Sequence, residues 1–587
     1  MAWQREGLFA YENFLKKHKI LLVFFILLFI CLSIRLFYLQ IVKGSKYRVI
    51  SEQQRLHNTN ERAPRGIIYS SDGKVLAGSE FAYVALYYPP DGHKKISNET
   101  LKKVSRILGR NIEPKAGNVN KYGRALKLDE NLTKEEMFKI REQSMNLEGI
   151  TVIRQPRRVY PFGEALSHIT GYTGEIKHEE LAELSDCGYK HGDYIGRCGI
   201  EQTYDEYLQG KDGGWQVEVN AKGYRVRKFK YVAPKIGASV YSTVDLRLQE
   251  AAYEALKNSD TGRGAVVVLN AKTGAVLALV SCPGFDANKI RSKEFSMYFK
   301  DKNLPFFNRA LQALFPPGSV FKIITFAAAV ECLNLNPSER ILCSGKFELG
   351  NRHYACWCKS GHGRLNLIEA TAQSCNVYFY HLGIRLGVKK LENFSRKFCL
   401  GRKTGIDLPN EKEGFIPNPQ WKKSKTKMKW LQGDTVIFAI GQGAVSVTPL
   451  QIAYMMSAVA NKGICNKPYI VEKIISTDGI ELYKHKTGKT EKIDLSDRTW
   501  SFLHTALLEA VESGTGKRCR FNNIKIAGKS GTAQNPQGKD HAWFVSYAPA
   551  DNPEIVIAVI VEHGGWGSAN AVPVGRKIYE TYFNVCT

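Results

Sequence analysis

The run Ile20-Leu21-Leu22-Val23-Phe24-Phe25-Ile26-Leu27-Leu28-Phe29-Ile30-Cys31-Leu32-Ser33-Ile34 carries no charge. After Arg35 the apolar character resumes with Leu36-Phe37-Tyr38-Leu39-Gln40-Ile41-Val42. That is enough for one spanning helix of roughly twenty residues, with Arg35 snorkelling to the outer interface. Arg5, Lys16, Lys17 and Lys19 precede the run, so the positive-inside rule predicts a cytoplasmic N-terminus. A cleaved signal peptide is the rival reading. The run ends without an A-x-A-like site, which favours an uncleaved anchor at 20–42 behind a short tail at 1–19. No second run of that length follows, and everything after about residue 43 is expected outside the cytoplasmic membrane.

At 587 residues the chain exceeds the usual size of a single core and suggests several domains. A formal net charge of +27 admits nucleic acid, an anionic membrane surface or an anionic polymer as partners. The basic residues are dispersed rather than gathered in one tract, and no zinc-finger, homeodomain or RNP-type pattern is present. The charge therefore reads as a lysine-rich solvated surface, with no nucleic-acid partner.

Beyond the anchor, Arg65-Gly66-Ile67-Ile68-Tyr69 and Lys74-Val75-Leu76-Ala77 read as strands joined by the Asp72-Gly73 turn. Residues 90–150 turn polar, with a helical stretch around Leu132–Ile140, and suggest a smaller inserted lobe. Asp245 is placed to cap a helix starting at Leu246. Gly264–Asn270 and Ala275–Val280, flanking Lys272-Thr273-Gly274, read as a hairpin of buried strands. The unit that starts near residue 236 is thus a mixed α/β domain.

Ser319-Val320-Phe321-Lys322, directly after Phe315-Pro316-Pro317-Gly318, puts a hydroxyl and an amine three residues apart where a loop turns into an apolar helix. Residues i and i+3 share one helix face, so the amine can reach the hydroxyl. A serine is a poor nucleophile until a base takes its proton, and a desolvated lysine can serve. The helix N-terminus favours both the neutral amine and a developing oxyanion. Alone, S-x-x-K arises often by chance. Ser374-Cys375-Asn376 and Lys529-Ser530-Gly531-Thr532 complete the ordered triple S-x-x-K, S-x-N, K-[ST]-G of active-site serine acyl transferases that react with penicillin. Each motif alone could equally be a helix cap, a polar loop or a strand end.

Thirteen cysteines in an exported chain would ordinarily suggest disulfides. Cys343, Cys356, Cys358, His362 and Cys375, however, crowd into a turn-rich stretch. Three thiolates and one imidazole can close a tetrahedral zinc site. Cys356 and Cys358 would point to opposite sides of an extended strand, so only one is expected as a ligand. Disulfides or plain buried thiols remain the competing reading. A metal here would brace the S-x-N loop rather than take part in the chemistry.

Over almost its whole length the chain resembles the class B penicillin-binding proteins, and most of all their elongation type, penicillin-binding protein 2. Beyond the triple, the resemblance rests on Arg65-Gly66-Ile67-Ile68, Gly196-Arg197-Cys198-Gly199-Ile200-Glu201-Gln202-Thr203-Tyr204-Asp205 and Thr404-Gly405-Ile406-Asp407-Leu408-Pro409. It extends to Gly441-Gln442-Gly443, Thr448-Pro449-Leu450-Gln451 and the ending Asp540-His541-Ala542-Trp543-Phe544-Val545-Ser546-Tyr547-Ala548-Pro549. Nothing resembles the glycosyltransferase domain of class A members. The resemblance implies a multi-domain α/β (α+β) chain: anchor, a mixed β-rich pedestal at 43–235 with a lobe inserted at about 80–150, and a transpeptidase domain at 236–587. The last would be an antiparallel sheet flanked by helices.

The resemblance also implies the chemistry. Ser319 would attack the carbonyl between the two terminal D-alanines of a peptidoglycan stem peptide, with Lys322 as base. A neighbouring stem peptide's amine would then capture the acyl group, with β-lactams as inhibitors. Ser374 would relay a proton with electrostatic support from Lys529, Asn376 would hold Lys322 and the substrate amide, and Ser530 and Thr532 would bind the terminal carboxylate. The N–H groups of Ser319 and Thr532 would form the oxyanion hole, and Gly531 would let the strand approach the substrate. The chemistry needs no cofactor. Some elongation-type members carry a metal site of acidic residues, His and Cys beside S-x-N. His362 and Cys375 match it, with Cys343 and Cys356 in place of the carboxylates, a softer set suited to structural zinc. Docking on the elongation glycan polymerase (RodA) and on MreC is implied for the pedestal.

Three other readings compete. A β-lactamase-like acyl hydrolase would share the triple but needs a dedicated water-activating base, which the sequence does not offer. A penicillin sensor would need cytoplasmic signalling machinery, and the tail at 1–19 leaves no room for it. A non-catalytic cell-wall scaffold would tolerate loss of the motifs, yet all three are intact.

Overall fold

The computed structural model describes residues 2–585 apart from 45–46, 48–55, 59–60, 88–95, 113–125, 144–146, 148, 185–187, 191, 220–224, 293–294 and 487–489. Parts of the polar 90–150 region, and Cys187 and Cys586, lie outside the described residues. Two compact units are distinguished, Met1–Ala63 with Lys211–Lys235, and Pro64–Gly210 with Ile236–Thr587.

In the first unit the helix Ala2–Phe37 continues into a wider turn at Tyr38–Val42. Among the described residues, Leu21–Val42 is the one helical stretch long and apolar enough to cross a membrane, and none of it is buried in protein. The unit also holds a three-stranded antiparallel sheet of Leu56–Asn58, Gly214–Val219 and Arg225–Val232.

The second unit contains two principal sheets. One sheet has five antiparallel strands in the order Val276–Cys282, Gly264–Asn270, Ile555–Val561, His541–Ala548, Ala527–Ala533. The expected hairpin at Gly264 is present, and Asp245 caps its helix by accepting hydrogen bonds from the N–H groups of Arg247 and Leu248. These strands are apolar without alternation because both faces are covered. Val267, Leu269, Ala558, Ile560, Trp543 and Val545 face the helices Lys322–Leu333 and Pro449–Ala460. Val266, Val268, Ile557, Val559 and Phe544 face Leu246–Lys257 and Gly567–Phe583. The result is three layers, helix on sheet on helix, with Ala527–Ala533 at the sheet edge.

The other sheet has seven strands and mixes distant parts of the chain. Its order is Glu481–Lys484, Val471–Ile475, Ser239–Ser242, Ile68–Tyr69, Val75–Tyr87, Leu126–Leu132, and Ile150–Val159 also pairs with Val75–Tyr87. Ser239–Ser242 runs parallel to Ile68–Tyr69, with Val240 opposite Ile68. The Asp72-Gly73 turn joins the next two strands as expected, with Gly73 at φ 80°. The outer part of this sheet, with helices Asn98–Leu108 and Lys134–Glu142, encloses a core of its own that includes Val104, Leu128, Met137, Ile140 and Val152.

Residues far apart in sequence close a buried ion network within this unit. Glu201, fully buried, accepts from Arg158 Nε at 2.6 Å and from Arg65 Nη2 at 2.7 Å, and the same Arg65 nitrogen reaches Asp205 at 2.7 Å. Burial pushes the Glu201 carboxyl up, but Arg158 and Arg65 outweigh it and hold the group below its ordinary range. The quoted Arg65-Gly66 and Glu201…Asp205 segments are therefore two sides of one contact.

Candidate active site

Ser319 sits in a tight turn, Gly318–Phe321, that runs directly into the helix Lys322–Leu333. That helix is buried from Lys322 to Val330, so its first turn is fixed by packing, and Ser319 alone among residues 318–322 keeps partial exposure. Gly318 has φ 54°, and a Cβ there would lie 2.6 Å from the Thr532 carbonyl oxygen. The Ser319 turn thus rests on the edge strand. Its other side is held by Gly441, whose carbonyl accepts from Gly318 N–H at 2.9 Å, and the adjacent Gln442 Nε2 points to Thr532 O at 3.5 Å.

Lys322 is fully buried. Its Nζ donates to the Ser374 carbonyl at 2.8 Å and to Asn376 Oδ1 at 2.7 Å, with Ser374 Oγ at 3.3 Å. Burial pulls its pKa down to about 8, against an opposing pull from the nearby Cys375, Cys356 and Cys343 thiols. The i, i+3 spacing was expected to bring this amine to Ser319. Among the described residues no hydrogen bond joins the two, because acceptors of the Ser374–Asn376 loop engage the amine in the free enzyme. Such contacts commonly tighten only with substrate in place.

The third motif lies on the edge strand. Lys529 is fully buried, its Nζ donates to Ser530 O at 2.9 Å, and burial plus repulsion from Lys322 hold it well below the usual amine range. Ser530 Oγ donates to Thr515 Oγ1 at 2.7 Å. Thr515 was not anticipated. It lies in Ser513-Gly514-Thr515-Gly516 after the helix Asp497–Glu512, and its N–H binds Ala372 O at 3.1 Å, two residues before Ser374. In sequence that segment offers only a turn signal. Gly531 allows a close approach, but to the protein itself: a Cβ there would meet Val320 Cγ2 at 3.0 Å and Trp543 Cβ at 3.2 Å. The missing side chain lets the strand seat against the Ser319 turn. Thr532 Oγ1 accepts from Gly567 N–H at 3.3 Å.

The cysteines gather beside this site. Cys343 ends the strand Ile341–Cys343, which pairs with Gly363–Leu365, and Cys356 follows the strand Arg352–Ala355. Main-chain bonds from His362 N–H to Cys343 O at 3.1 Å and from Cys356 N–H to Gly345 O at 2.8 Å fold the loop back. Cys343, Cys356, His362 and Cys375 offer ligand atoms that all lie within 4.8 Å of one another. His362 turns Nδ1 to Cys343 Sγ at 3.4 Å and Cys356 Sγ at 3.6 Å. Cys358 stays outside the group, with its sulfur at Ser360 Oγ and Gly361 O. Tetrahedral zinc with sulfur ligands at roughly 2.3 Å needs separations of this size, so the donor set fits that metal. A hydrogen bond with Cys375 pulls the Cys356 thiol below its usual value, and Asn376 N–H donates to the same sulfur at 3.4 Å. The cluster therefore touches the S-x-N motif directly.

Two exposed tryptophans, also unanticipated, flank the cleft. Trp357 donates from Nε1 to Gln373 O at 3.0 Å, and its ring lies 6.1 Å from that of Trp566, the residue before the helix Gly567–Phe583.

Residues 264–580 match the family described as the penicillin binding protein transpeptidase domain, and residues 60–242 the penicillin-binding protein dimerisation domain. The peptidoglycan D,D-transpeptidase MrdA of Acinetobacter baumannii is 33% identical over 582 residues, covering 93% of this chain and 85% of its own. A solved complex between penicillin-binding protein 2 and MreC from Helicobacter pylori matches with TM-score 0.76 and 27% identity, over 90% of this chain and 99% of that one. A chain from a peptidoglycan synthase complex that coordinates polymerisation and crosslinking matches with TM-score 0.73 and 29% identity, over 97% and 98%.

Proposed function

The chain belongs to the penicillin-binding protein transpeptidases, as a peptidoglycan D,D-transpeptidase of the elongation type, and on that premise we propose that Ser319 is its acylated nucleophile and Lys322 the base that activates it. The observation that carries this assignment is the Lys322 amine, fully buried, anchored by Ser374 and Asn376 and drawn down to about 8. Such an amine can be neutral near physiological pH, as a general base requires.

In the proposed reaction Ser319 Oγ attacks the penultimate D-alanine carbonyl and its proton passes to Lys322 Nζ. The oxyanion is held by the N–H groups of Ser319 and Thr532. In an extended strand the Thr532 N–H points to the same side as its C=O, which faces the nucleophile turn. The C–N bond then breaks, and the departing D-alanine takes a proton relayed by Ser374. The amine of a second stem peptide attacks the acyl-enzyme, forms the crosslink and returns the proton that restores Ser319. Water in place of that amine gives a carboxypeptidase side reaction. Asn376 holds Lys322 and the substrate amide, Lys529 supports the relay electrostatically, and Ser530 and Thr532 receive the terminal carboxylate. The catalytic steps require no cofactor.

Cys343, Cys356, His362 and Cys375 are proposed to hold a structural zinc ion. Its contribution is to fix the thiolates, and with them the backbone that carries Ser374 and Asn376. The proposed division is a cytoplasmic tail at 1–19, a membrane anchor at 20–42, a pedestal at 43–235 with a lobe at about 80–150, and a transpeptidase domain at 236–587. The bulk of the chain then lies outside the cytoplasmic membrane. By analogy with the solved complexes, the pedestal is proposed to dock on MreC and on the elongation glycan polymerase (RodA).

A short penicillin pulse, peptide mapping by mass spectrometry and an antibiotic-free chase test the assignment. An adduct on the Ser319 peptide that outlasts the chase is expected. Rapid return to the free mass would indicate a β-lactamase-like hydrolase, and an adduct elsewhere or none would overturn the role of Ser319.

A further inference from the structure

Well away from the catalytic motifs, another pair of sulfurs meets. Cys399 follows the long helix Asn376–Lys397 in a left-handed conformation, φ 65°, and Cys465 ends the short strand Ile464–Cys465. Both are buried and neighbour each other, with Cys399 Sγ 4.0 Å from Glu491 Oε2. Among the described residues the other thiols in mutual contact belong to the His362 cluster.

The surroundings differ from those of an inert core cysteine. Arg402 Nη2 donates to Cys399 Sγ at 3.0 Å, and Arg402 is ion-paired with Glu491. Glu491 is also the residue opposite Cys465 in the antiparallel ribbon Ile464–Cys465/Glu491–Lys492. One guanidinium and one carboxylate therefore close around the two sulfurs. Arg402 and Glu491, with Leu400 and Lys492, line an open cavity of about 520 Å³, so these thiols lie one side chain away from solvent. The neighbouring Cys465 thiol and the Arg402 guanidinium pull the Cys399 thiol below its usual value, whereas burial pushes Cys282 and Cys519 up. A thiolate beside a cation is the reactive form of cysteine.

We propose that Cys399 and Cys465 form a disulfide pair, oxidised by a disulfide of the extracytoplasmic thiol–disulfide exchange class. The Cys399 thiolate attacks one sulfur of the oxidant's disulfide, and the oxidant's other sulfur leaves as a thiolate that takes up a proton. Cys465 then loses its proton, displaces the remaining oxidant sulfur and closes the S–S bond. Two electrons pass to the oxidant, which departs as two thiols. The bond ties the end of the helical segment that follows the break at Gly387 to the ribbon carrying Glu491. The identity of the cellular oxidant rests on the outward orientation proposed above; the sulfur geometry does not.

Full-length protein in detergent, incubated with oxidised glutathione, alkylated and digested without reduction, provides the test. The expected product is one peptide pair joined through Cys399 and Cys465 that separates on reduction, and the oxidised protein should melt several degrees above the reduced form. In Cys465→Ser the expected product is Cys399 carrying glutathione. Recovery of both cysteines as separately alkylated thiols, or their linkage to other cysteines, overturns the pairing. Penicillin labelling of Ser319 in the same samples reads the transpeptidase assignment independently.

Discussion

The two walls of the cleft are made rigid by different physics. The sheet wall, Ala527–Ala533 against His541–Ala548, is held by a continuous backbone ladder and by close packing: a Cβ at Gly531 would press on Val320 and Trp543. The opposite wall is a turn in which Ser374, not a glycine, adopts φ 54°. Such a conformation costs on the order of 1 kcal/mol and persists only where its surroundings over-determine it. Here those surroundings are side chains, namely Lys322 bonding to its carbonyl and the thiol–imidazole cluster that includes its neighbour Cys375. The sheet wall is thus a property of the fold, whereas the turn wall depends on a few specific atoms.

The largest expected effect falls where the walls meet. Ser319→Ala should abolish the penicillin adduct while leaving the melting temperature nearly unchanged, and a persisting adduct would move the nucleophile elsewhere. Lys322→Met removes the amine bound to the turn wall and should slow acylation roughly 10²- to 10⁴-fold, the usual worth of a general base. Cys356→Ser attacks the turn wall alone. Loss of stoichiometric zinc and a 10- to 100-fold fall in acylation are expected, roughly what supporting groups of metal sites contribute. Wild-type protein that contains no zinc by metal analysis would break the contrast between the walls.

Smaller changes sharpen it. Because the proposed base is the neutral amine of Lys322 and its pKa is depressed to about 8, acylation should climb with pH up to about 8 and level off above it. A flat profile from pH 6 to 9 would remove Lys322 as the base. Thr515→Val deletes one hydrogen bond from the sheet wall, from Ser530, and should weaken acylation by several-fold, about 1 kcal/mol. A loss as large as that of Cys356→Ser would show that the sheet wall is no more robust than the turn.

The sequence made the chemistry legible because each motif is local. Ser319 and Lys322 share a turn, Ser374 and Asn376 flank one residue, and Lys529 to Thr532 lie on one strand, so their residue types and spacing carry the signal directly. The buried strands at Gly264 and the Asp245 cap were readable for the same reason. Thr515, Gln442 and the tryptophans were not, since their roles exist only once distant segments meet. Gly531 shows a subtler limit: the need for a small residue was apparent, but only the neighbouring Val320 and Trp543 reveal which approach it permits. Likewise the cluster's composition was visible, whereas Cys399 and Cys465, separated by three helices and the turns between them, gave no sign of being neighbours.

The parallel pairing of Ser239–Ser242 with Ile68–Tyr69 bears on how such chains descend. A gene exchange with its crossover near residue 236 would supply one strand of that pair from each parent. Main-chain register and side-chain volume across that pair would both have to match by chance. Mosaic alleles that survive should therefore have breakpoints elsewhere, and the two halves should share one genealogy even where their surfaces answer to different selective pressures.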